Sequence, residues 1–285
     1  MKQRLKLLFK KLVAFVRKTF SKTIKLIDEQ SWHEATCRYQ FMHGLSLEEN
    51  RRLRLIASDF LSRKEISGAA DFIISETIKI EIAAQASILV LQLGVKSYRD
   101  WSNIIVYPSQ FRPRREVIDQ FGVVHITNDV LAGEAWQGGP VVLSYEDVSR
   151  ASDPAGAVNT VAHAGSNVVI HEFAHKLDMQ SGQANGCPPL HKGMSAARWK
   201  QIFQAAYLNF CQTIDAVHTR PVTYNDAALA IDPYAAENPA EFFAVMSEAF
   251  FESPQLVNAA YPDVYGQLKL FYRQDPLARA TNHSK

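Results

Sequence analysis

Apolar residues along this chain recur with two different periods, which divides it into helical and β-rich stretches. The segment LSLEENRRLRLIASDFLSRK, from Leu45, has apolar residues at helical spacing, and Ser46 with Glu49 three residues later predicts a capping box. A second long apolar segment, ISETIKIEIAAQASILVLQLG, predicts a buried helix that ends at Gly94. Short β-rich runs bounded by Pro, Gly and Asn then predict strands at Asn103–Tyr107, Gly122–Ile126 and Val141–Tyr145.

The order of these elements predicts an α+β fold. A connector rich in Ser, Ala, Gly and Asp runs from Ser149 to Asn167, and the chain after it is mostly helical. We therefore expect one domain over residues 31–280, with helices and a small sheet in residues 31–150 and a helical half in residues 165–280. The sequence contains no internal repeat and no Gly-rich phosphate loop.

Basic residues are concentrated at the amino terminus. Residues 1–27 carry nine Lys and Arg and no acid, whereas the remainder has 22 basic and 29 acidic residues, although the whole chain has a net charge of only +2. Apolar residues recur at helical spacing between these cations, so residues 1–30 predict a basic amphipathic helix. Its longest apolar run, Leu12–Val16, is too short to span a membrane.

This basic arm has two interpretations. It can lie on an anionic membrane surface through residues 1–27, or pack on the body of the protein with its lysines in water. Specific nucleic-acid binding is not expected, because no base-reading module accompanies the basic stretch. The three cysteines form no CxxC pair and are too few for a disulfide framework. A reduced, cytoplasmic location is therefore expected, with the arm as a peripheral contact to the inner face of the membrane.

Candidate chemistry is concentrated in NVVIHEFAHKLDMQSG, Asn167–Gly182, where an apolar run leads into the motif HEFAH. On a helix, His171 and His175 lie one turn apart on the same face, so both imidazoles can bind one metal ion. Neutral imidazole suits zinc, and Glu172 is then placed to accept a proton from a water molecule at the metal. The alternative is an ordinary helix that contains two histidines by chance, and the apolar segment before the motif disfavours it.

A complete metal site requires residues from outside the motif. Asp178 falls on the same helix face, where it can accept the second N–H of a ligating histidine. The segment YAAENPAEFFAVMSEAFF contains a helix start at Asn238, which is followed by proline. Spacing alone does not choose between Glu237, Glu241 and Glu248 as the third ligand; we favour Glu241 and then Glu248. Glu241 can instead close a capping box with Asn238.

Four segments together resemble a known family. They are VVIHEFAHKLDMQSG, LAGEAWQGGPVVLSYEDV, IDPYAAENPAEFFAVMSEAFFESP and QLKLFYRQDPL, and they look like the zinc-dependent peptidases related to Mlc titration factor A. The resemblance extends from about Tyr39 to Leu277, with the segments in the expected order. That family is similar around its metal site to the catalytic domain of anthrax lethal factor.

The resemblance implies a zincin-like metallopeptidase with one zinc ion per chain. It assigns zinc ligation to His171, His175 and Glu241, the role of base to Glu172, and stabilisation of the oxyanion to Tyr234. Aminopeptidase-type cleavage of a peptide or protein substrate is implied as well. A regulatory binding protein is the alternative, since Mlc titration factor A takes its name from sequestering a transcriptional repressor of glucose phosphotransferase genes.

A peptide substrate also needs a partner for its backbone. The segment Gly139–Tyr145 predicts an edge strand, because Pro140 at its start tolerates the missing N–H. Such a strand near the metal can align an extended peptide by backbone pairing. Glu172 separates the two functional hypotheses, because a pure binding protein can lose this side chain without consequence.

Overall fold

A computed structural model describes residues 24–111, 115–118, 124–127, 131–150, 167–217 and 227–283. The α-helices in this part of the chain are α1 (Glu29–Thr36), α2 (Gln40–His43), α3 (Leu47–Arg63), α4 (Glu76–Leu89), α5 (Tyr145–Arg150), α6 (Val168–Asp178), α7 (Ala196–Val217), α8 (Pro239–Glu252), α9 (Pro254–Ala260), α10 (Pro262–Tyr272) and α11 (Pro276–His283). The strands are β1 (Glu65–Gly68), β2 (Asn103–Tyr107), β3 (Arg115–Ile118), β4 (Val124–Thr127), β5 (Gly133–Ala135) and β6 (Val141–Ser144).

The described strands form a mixed four-stranded sheet and a separate two-stranded pair. The sheet has the order β1-β2-β6-β5, in which β1, β2 and β6 are parallel and β5 is antiparallel to β6. Strands β3 and β4 pair antiparallel with each other. The predicted α+β class is therefore confirmed.

The prediction that Gly139–Tyr145 forms an edge strand is wrong. Its strand residues, β6, lie between β2 and β5, with Ile104 paired to Val141 on one side and Glu134 paired to Val142 on the other. All four residues of β6 are buried, which is typical of an inner strand. The strand at this edge of the sheet is β5.

Two predicted helix boundaries have different outcomes. The capping box is confirmed, because the Ser46 hydroxyl accepts a hydrogen bond from the Glu49 N–H at 3.2 Å and the Ser46 N–H donates to Glu49 Oε2 at 3.0 Å. The apolar helix α4 ends at Leu89 and not at Gly94. Gly94 has a φ of 85° and donates its N–H to the Val90 carbonyl at 2.7 Å, so the buried apolar run continues through a turn after the helix ends.

The strand predictions hold in part. Asn103–Tyr107 is confirmed as β2. The run predicted at Gly122–Ile126 overlaps β4, which begins at Val124, and the run at Val141–Tyr145 forms β6 except that Tyr145 begins α5. Strands β1, β3 and β5 have three or four residues each and were not predicted, because such short segments show no clear alternation of apolar and polar residues.

Helix α6 is anchored by an aromatic cluster. Phe173 is fully buried, and its ring centroid lies 5.6 Å from that of Phe60, 5.2 Å from Tyr98 and 5.5 Å from Trp101. Burial of one such ring stabilises the fold by about 1.5–3 kcal/mol. Because successive helical residues are about 100° apart, packing of Phe173 into the core turns the histidines of the HEFAH motif towards the opposite side of α6.

Several predictions lie outside the described residues. They concern residues 1–23 of the basic arm and residues 151–166 of the connector. At the end of the arm, the Ile27 N–H donates to the Ser58 hydroxyl at 3.1 Å, and this hydrogen bond ties the chain to α3. Among the described helices, none is both long and apolar enough to cross a membrane.

Candidate metal centre

The HEFAH motif lies on α6, as predicted. Asn167 caps this helix by accepting a hydrogen bond from the Ile170 N–H at 2.9 Å. His171 and His175 fall on one face with their ring centroids 4.7 Å apart. Both rings are largely buried, with side-chain exposures of 13% and 8%. The helix therefore presents two imidazoles to one point in space.

Helix α8 brings a carboxylate to the same point. The Asn238 side chain caps α8 by accepting hydrogen bonds from the Ala240 and Glu241 N–H groups at 2.9 Å and 3.1 Å. The Glu241 carboxylate turns away from this cap, and its Oε2 lies 2.9 Å from His171 Nε2 and 3.0 Å from His175 Nε2. The structure thus brings together the three predicted ligands from helices about seventy residues apart in sequence.

The geometry of this cluster fits a metal ion. The ligand atoms of His171, His175 and Glu241 all lie within 4.8 Å of one another, and the two Nε2 atoms are 3.1 Å apart. In a tetrahedral zinc site with bonds of about 2.0–2.1 Å, ligand atoms are about 3.3 Å apart. The observed separations of 2.9–3.1 Å are close to that value.

Glu248, a candidate third ligand in the sequence analysis, lies behind His171 and not among the three ligand atoms. Its Oε1 lies 2.7 Å from Nδ1 of His171, the ring nitrogen that faces away from Glu241. The carboxylate is almost fully buried, with 2% side-chain exposure. A hydrogen bond at the second ring nitrogen fixes the orientation and tautomer of a ligating histidine. Glu248 therefore orients His171, and Glu237 does not belong to the cluster.

Asp178 does not have the predicted contact with a histidine. Its Oδ2 accepts hydrogen bonds from the backbone N–H groups of Asn185 and Gly186, both at 2.7 Å. Asp178 Oδ1 and His175 Nδ1 are both buried without a hydrogen-bond partner among the described residues. The carboxylate instead fixes the loop that follows α6, because its position at the end of the helix places it beside those amides.

Burial and neighbouring charges shift the pKa values of the site carboxylates in opposite directions. Burial raises the pKa of Glu172 to about 7, against the opposing effect of the two histidines. Burial also acts to raise the pKa of Glu241, but hydrogen bonds with His171 and His175 outweigh it and hold that pKa well below the usual value. The lowered pKa favours the ionised form of Glu241, in keeping with a ligand role.

Two residues that the sequence analysis missed set the surroundings of Glu172. At Gly133 on β5, a Cβ atom would lie 2.5 Å from Glu172 Oε1 and 2.6 Å from Val168 Cγ2, so only glycine allows this strand to approach α6 so closely. Lys176 donates from Nζ to the carbonyl oxygens of Trp136 and Gly139 at 2.5 Å and 2.8 Å, which ties the β5–β6 turn to α6. No local pattern in the sequence indicates either contact.

A cavity of about 600 Å³ opens onto the cluster. Strand β5, the histidines, Glu172, Glu241 and Tyr234 line it. Tyr234 is half exposed, and its ring centroid lies 6.0 Å from that of His171. The structure therefore places all five predicted site residues around one cavity.

The fold and the cluster are those expected of a metallopeptidase. The family model for the glucose-regulated metallo-peptidase M90 matches residues 14–273, and the chain belongs to this family. Mlc titration factor A of Pectobacterium atrosepticum is 37% identical over 249 residues, which cover 86% of this chain and 87% of that protein. The proteins of that name from Yersinia pestis and Yersinia pseudotuberculosis are 35% identical over 249 residues, which cover 87% of this chain and 86% of theirs. The resemblance is confirmed, and the matched region begins well before Tyr39.

Proposed function

We propose that this protein is a zinc-dependent metallopeptidase that hydrolyses peptide bonds with water. The observation that carries the proposal is the convergence of one ligand atom each from His171, His175 and Glu241 beside the buried Glu172. Two imidazoles and one carboxylate are a ligand set of catalytic zinc sites, which keep a further position open. Calcium and magnesium prefer oxygen ligands, so this set of donor atoms favours zinc.

When bound, zinc supplies a Lewis acid that polarises the peptide carbonyl and lowers the pKa of water. Glu172 carries the proton in this mechanism. Its carboxylate accepts a proton from the attacking water and delivers it to the nitrogen of the leaving amine, so the C–N bond breaks with a neutral leaving group. Tyr234, at the wall of the same cavity, donates its O–H to the carbonyl oxygen as negative charge develops there.

Strand β5 is the proposed partner of the substrate backbone. Among the described strands it pairs with β6 alone, and its three residues line the cavity. An extended peptide can add to such an edge as a further strand. The close approach at Gly133 brings the edge next to Glu172, so a peptide bond held there lies within reach of the base.

Aminopeptidase-type cleavage is the finer part of the proposal. Glu134 on β5 lines the cavity and offers a carboxylate for the free amino group of a peptide. Matched peptides with a free and an acetylated amino terminus test this preference. Equal rates of hydrolysis for the two would contradict the aminopeptidase assignment without contradicting peptide hydrolysis.

Metal content and activity together test the assignment of the site. Purified protein is expected to contain about one zinc per chain, measured by mass spectrometry of the metal. His171→Ala and Glu241→Ala should each lose it. Glu172→Gln should retain zinc, because this side chain is not a ligand, and should lose peptide hydrolysis by about a hundredfold or more.

Glu237→Gln is the matched control, since Glu237 is a nearby carboxylate outside the cluster. This variant should retain both zinc and activity. Full zinc retention in both ligand variants would refute the metal site. Undiminished hydrolysis by Glu172→Gln would refute the mechanism.

A second candidate function follows from the name of the relatives, Mlc titration factor A. We propose that the protein also binds a Mlc-like transcriptional repressor. Glu172→Gln should bind purified repressor as the wild type does.

We further propose that residues 1–27 hold the protein at an anionic membrane surface in the cytoplasm. Deletion of residues 1–27 should lower binding of the protein to anionic vesicles while sparing hydrolysis. Lack of repressor binding contradicts the proposed interaction with the repressor, and unchanged vesicle binding contradicts the proposed membrane contact.

A further inference from the structure

An apolar groove lies beside the catalytic cavity, and the proposed mechanism does not use it. It has a volume of about 560 Å³ and runs between α7 and the start of α8. Its larger apolar lining residues are Cys187, Trp199, Phe203, Tyr207, Leu208 and Phe242. Lys200 and Gln204, whose side chains are exposed, also line it. The groove is therefore apolar inside and polar at its rim.

The groove and the catalytic cavity share residues. Asn185 and Pro239 line both of them. Pro239 precedes the ligand Glu241 by two residues, which is about 3 Å along the helix axis. An extended peptide advances about 3.3 Å per residue. The groove therefore adjoins the catalytic cavity at the start of α8, next to the place proposed for the peptide bond.

The shared wall is fixed by contacts from the helix that carries the metal ligands. Asp178, fully buried at the end of α6, accepts the backbone hydrogen bonds of Asn185 and Gly186. Trp199 Nε1 donates to the Gly186 carbonyl at 2.9 Å. Gly186 has a φ of 79°, and a Cβ atom there would lie 2.4 Å from the Pro239 carbonyl oxygen. These contacts fix the position of the groove wall relative to α6.

We propose that this groove is a specificity subsite that binds one large apolar side chain, aromatic or long aliphatic, of the peptide substrate. The inference rests on the proposed peptidase function and adds a substrate preference to it. Trp199 and Phe203 stack with their ring centroids 4.2 Å apart and are buried beneath the groove, whereas Leu208, 51% exposed, offers it an apolar surface. A Phe or Leu side chain gains by leaving water for this surface, whereas a carboxylate loses hydration there.

The test uses the zinc-loaded full chain and a set of peptides of one sequence. A single position, either the residue before the scissile bond or one of the two after it, is Phe, Leu, Ala or Asp. At one of these positions, kcat/KM is expected to be about tenfold to a hundredfold higher for Phe or Leu than for Ala. The dissociation constants of the same peptides for Glu172→Gln, measured by fluorescence anisotropy, should follow the same order.

Matched variants on α7 locate the preference in the groove. Ala196→Trp places a large ring at the groove, whereas Ala197→Trp places the same ring on a neighbouring face that lines a different cavity. The ratio of kcat/KM for the Phe and Ala peptides should fall towards one in Ala196→Trp and persist in Ala197→Trp. Leu208→Asp and Ala205→Asp form a second pair on the same two faces, so the result does not depend on one variant folding.

The outcomes separate the two proposals. The subsite is overturned if the wild type shows no preference for Phe or Leu at any position. It is also overturned if the ratio of kcat/KM for the Phe and Ala peptides is the same in the two variants of each pair. Either result leaves the peptidase function in place. If the zinc-loaded wild type hydrolyses no peptide, the proposed function fails and the subsite with it.

Discussion

The close approach of β5 to α6 leads to a specific prediction for Gly133→Ala. The added Cβ atom would lie 2.5 Å from Glu172 Oε1, about 0.9 Å short of the 3.4 Å at which ordinary van der Waals contact begins. Val168 Cγ2, at 2.6 Å, blocks a second direction. The strand itself is held by pairing with Leu143 on β6. The carboxylate of Glu172 is therefore expected to move by close to 1 Å.

A displacement of about 1 Å at a reacting group can cost about a hundredfold in rate. That factor corresponds to about 2.7 kcal/mol of transition-state stabilisation. We therefore expect kcat/KM of Gly133→Ala to fall about a hundredfold on a peptide that the wild type hydrolyses. Zinc content should stay at the wild-type level, because the three atoms nearest to the new methyl group belong to Glu172 and Val168 and not to a ligand.

Gly266→Ala is the matched control. Gly266 lies on α10, and a Cβ atom there would meet no other atom within 4 Å. This variant should retain activity and gain slightly in stability, because alanine favours a helix more than glycine. Activity of Gly133→Ala within about threefold of the wild type would refute the reasoning, since the base would then tolerate the displacement. Loss of zinc in Gly133→Ala would show that the effect passes through the ligands instead.

Three further changes test the site and the fold. Glu248→Gln, which removes the charged partner of His171, should weaken zinc affinity about tenfold to a hundredfold in competition with a chelator; unchanged affinity would contradict the orienting role. Ser46→Ala should lower the free energy of unfolding by about 1 kcal/mol in urea with an unchanged m-value. Burial lowers the pKa of Lys64 to about 8 in the folded protein. Above pH 8 the unfolded chain therefore holds the Lys64 proton more fully than the folded chain does. The free energy of unfolding of the wild type should consequently rise relative to that of Lys64→Met between pH 8 and 10. A constant difference between these two proteins over that range would contradict the shift.

The sequence was sufficient for the parts of the site that depend on local geometry. A spacing of four residues places His171 and His175 on one helical face whatever the surrounding fold. The helix start at Asn238 was equally readable, because the cap and the following proline act within one turn. The choice between Glu241 and Glu248 was not readable from spacing. The two lie two turns apart on nearly the same line of α8, so either could have faced the ligating histidines.

The remaining errors concern contacts between distant segments. The edge strand was assigned to β6 because of Pro140, yet strand order depends on pairing between Val141–Ser144 and residues from two other segments. Asp178 was expected beside a histidine because it shares the helix face, but the loop after α6 supplies it with two backbone donors. In both cases the competing partner comes from a part of the chain that local patterns do not connect to the motif.

The charges around the cluster connect the proposed function to the stability of the fold. Three carboxylates, those of Glu172, Glu241 and Glu248, meet two imidazoles in a largely buried space between α6 and α8. Buried charges that lack compensation are costly. A divalent cation held by the three converging ligand atoms, as proposed, would supply that compensation, and its binding energy would then contribute to folding. The side chains proposed to hold the metal are thus also the ones through which the metal would stabilise the packing of α6 against α8.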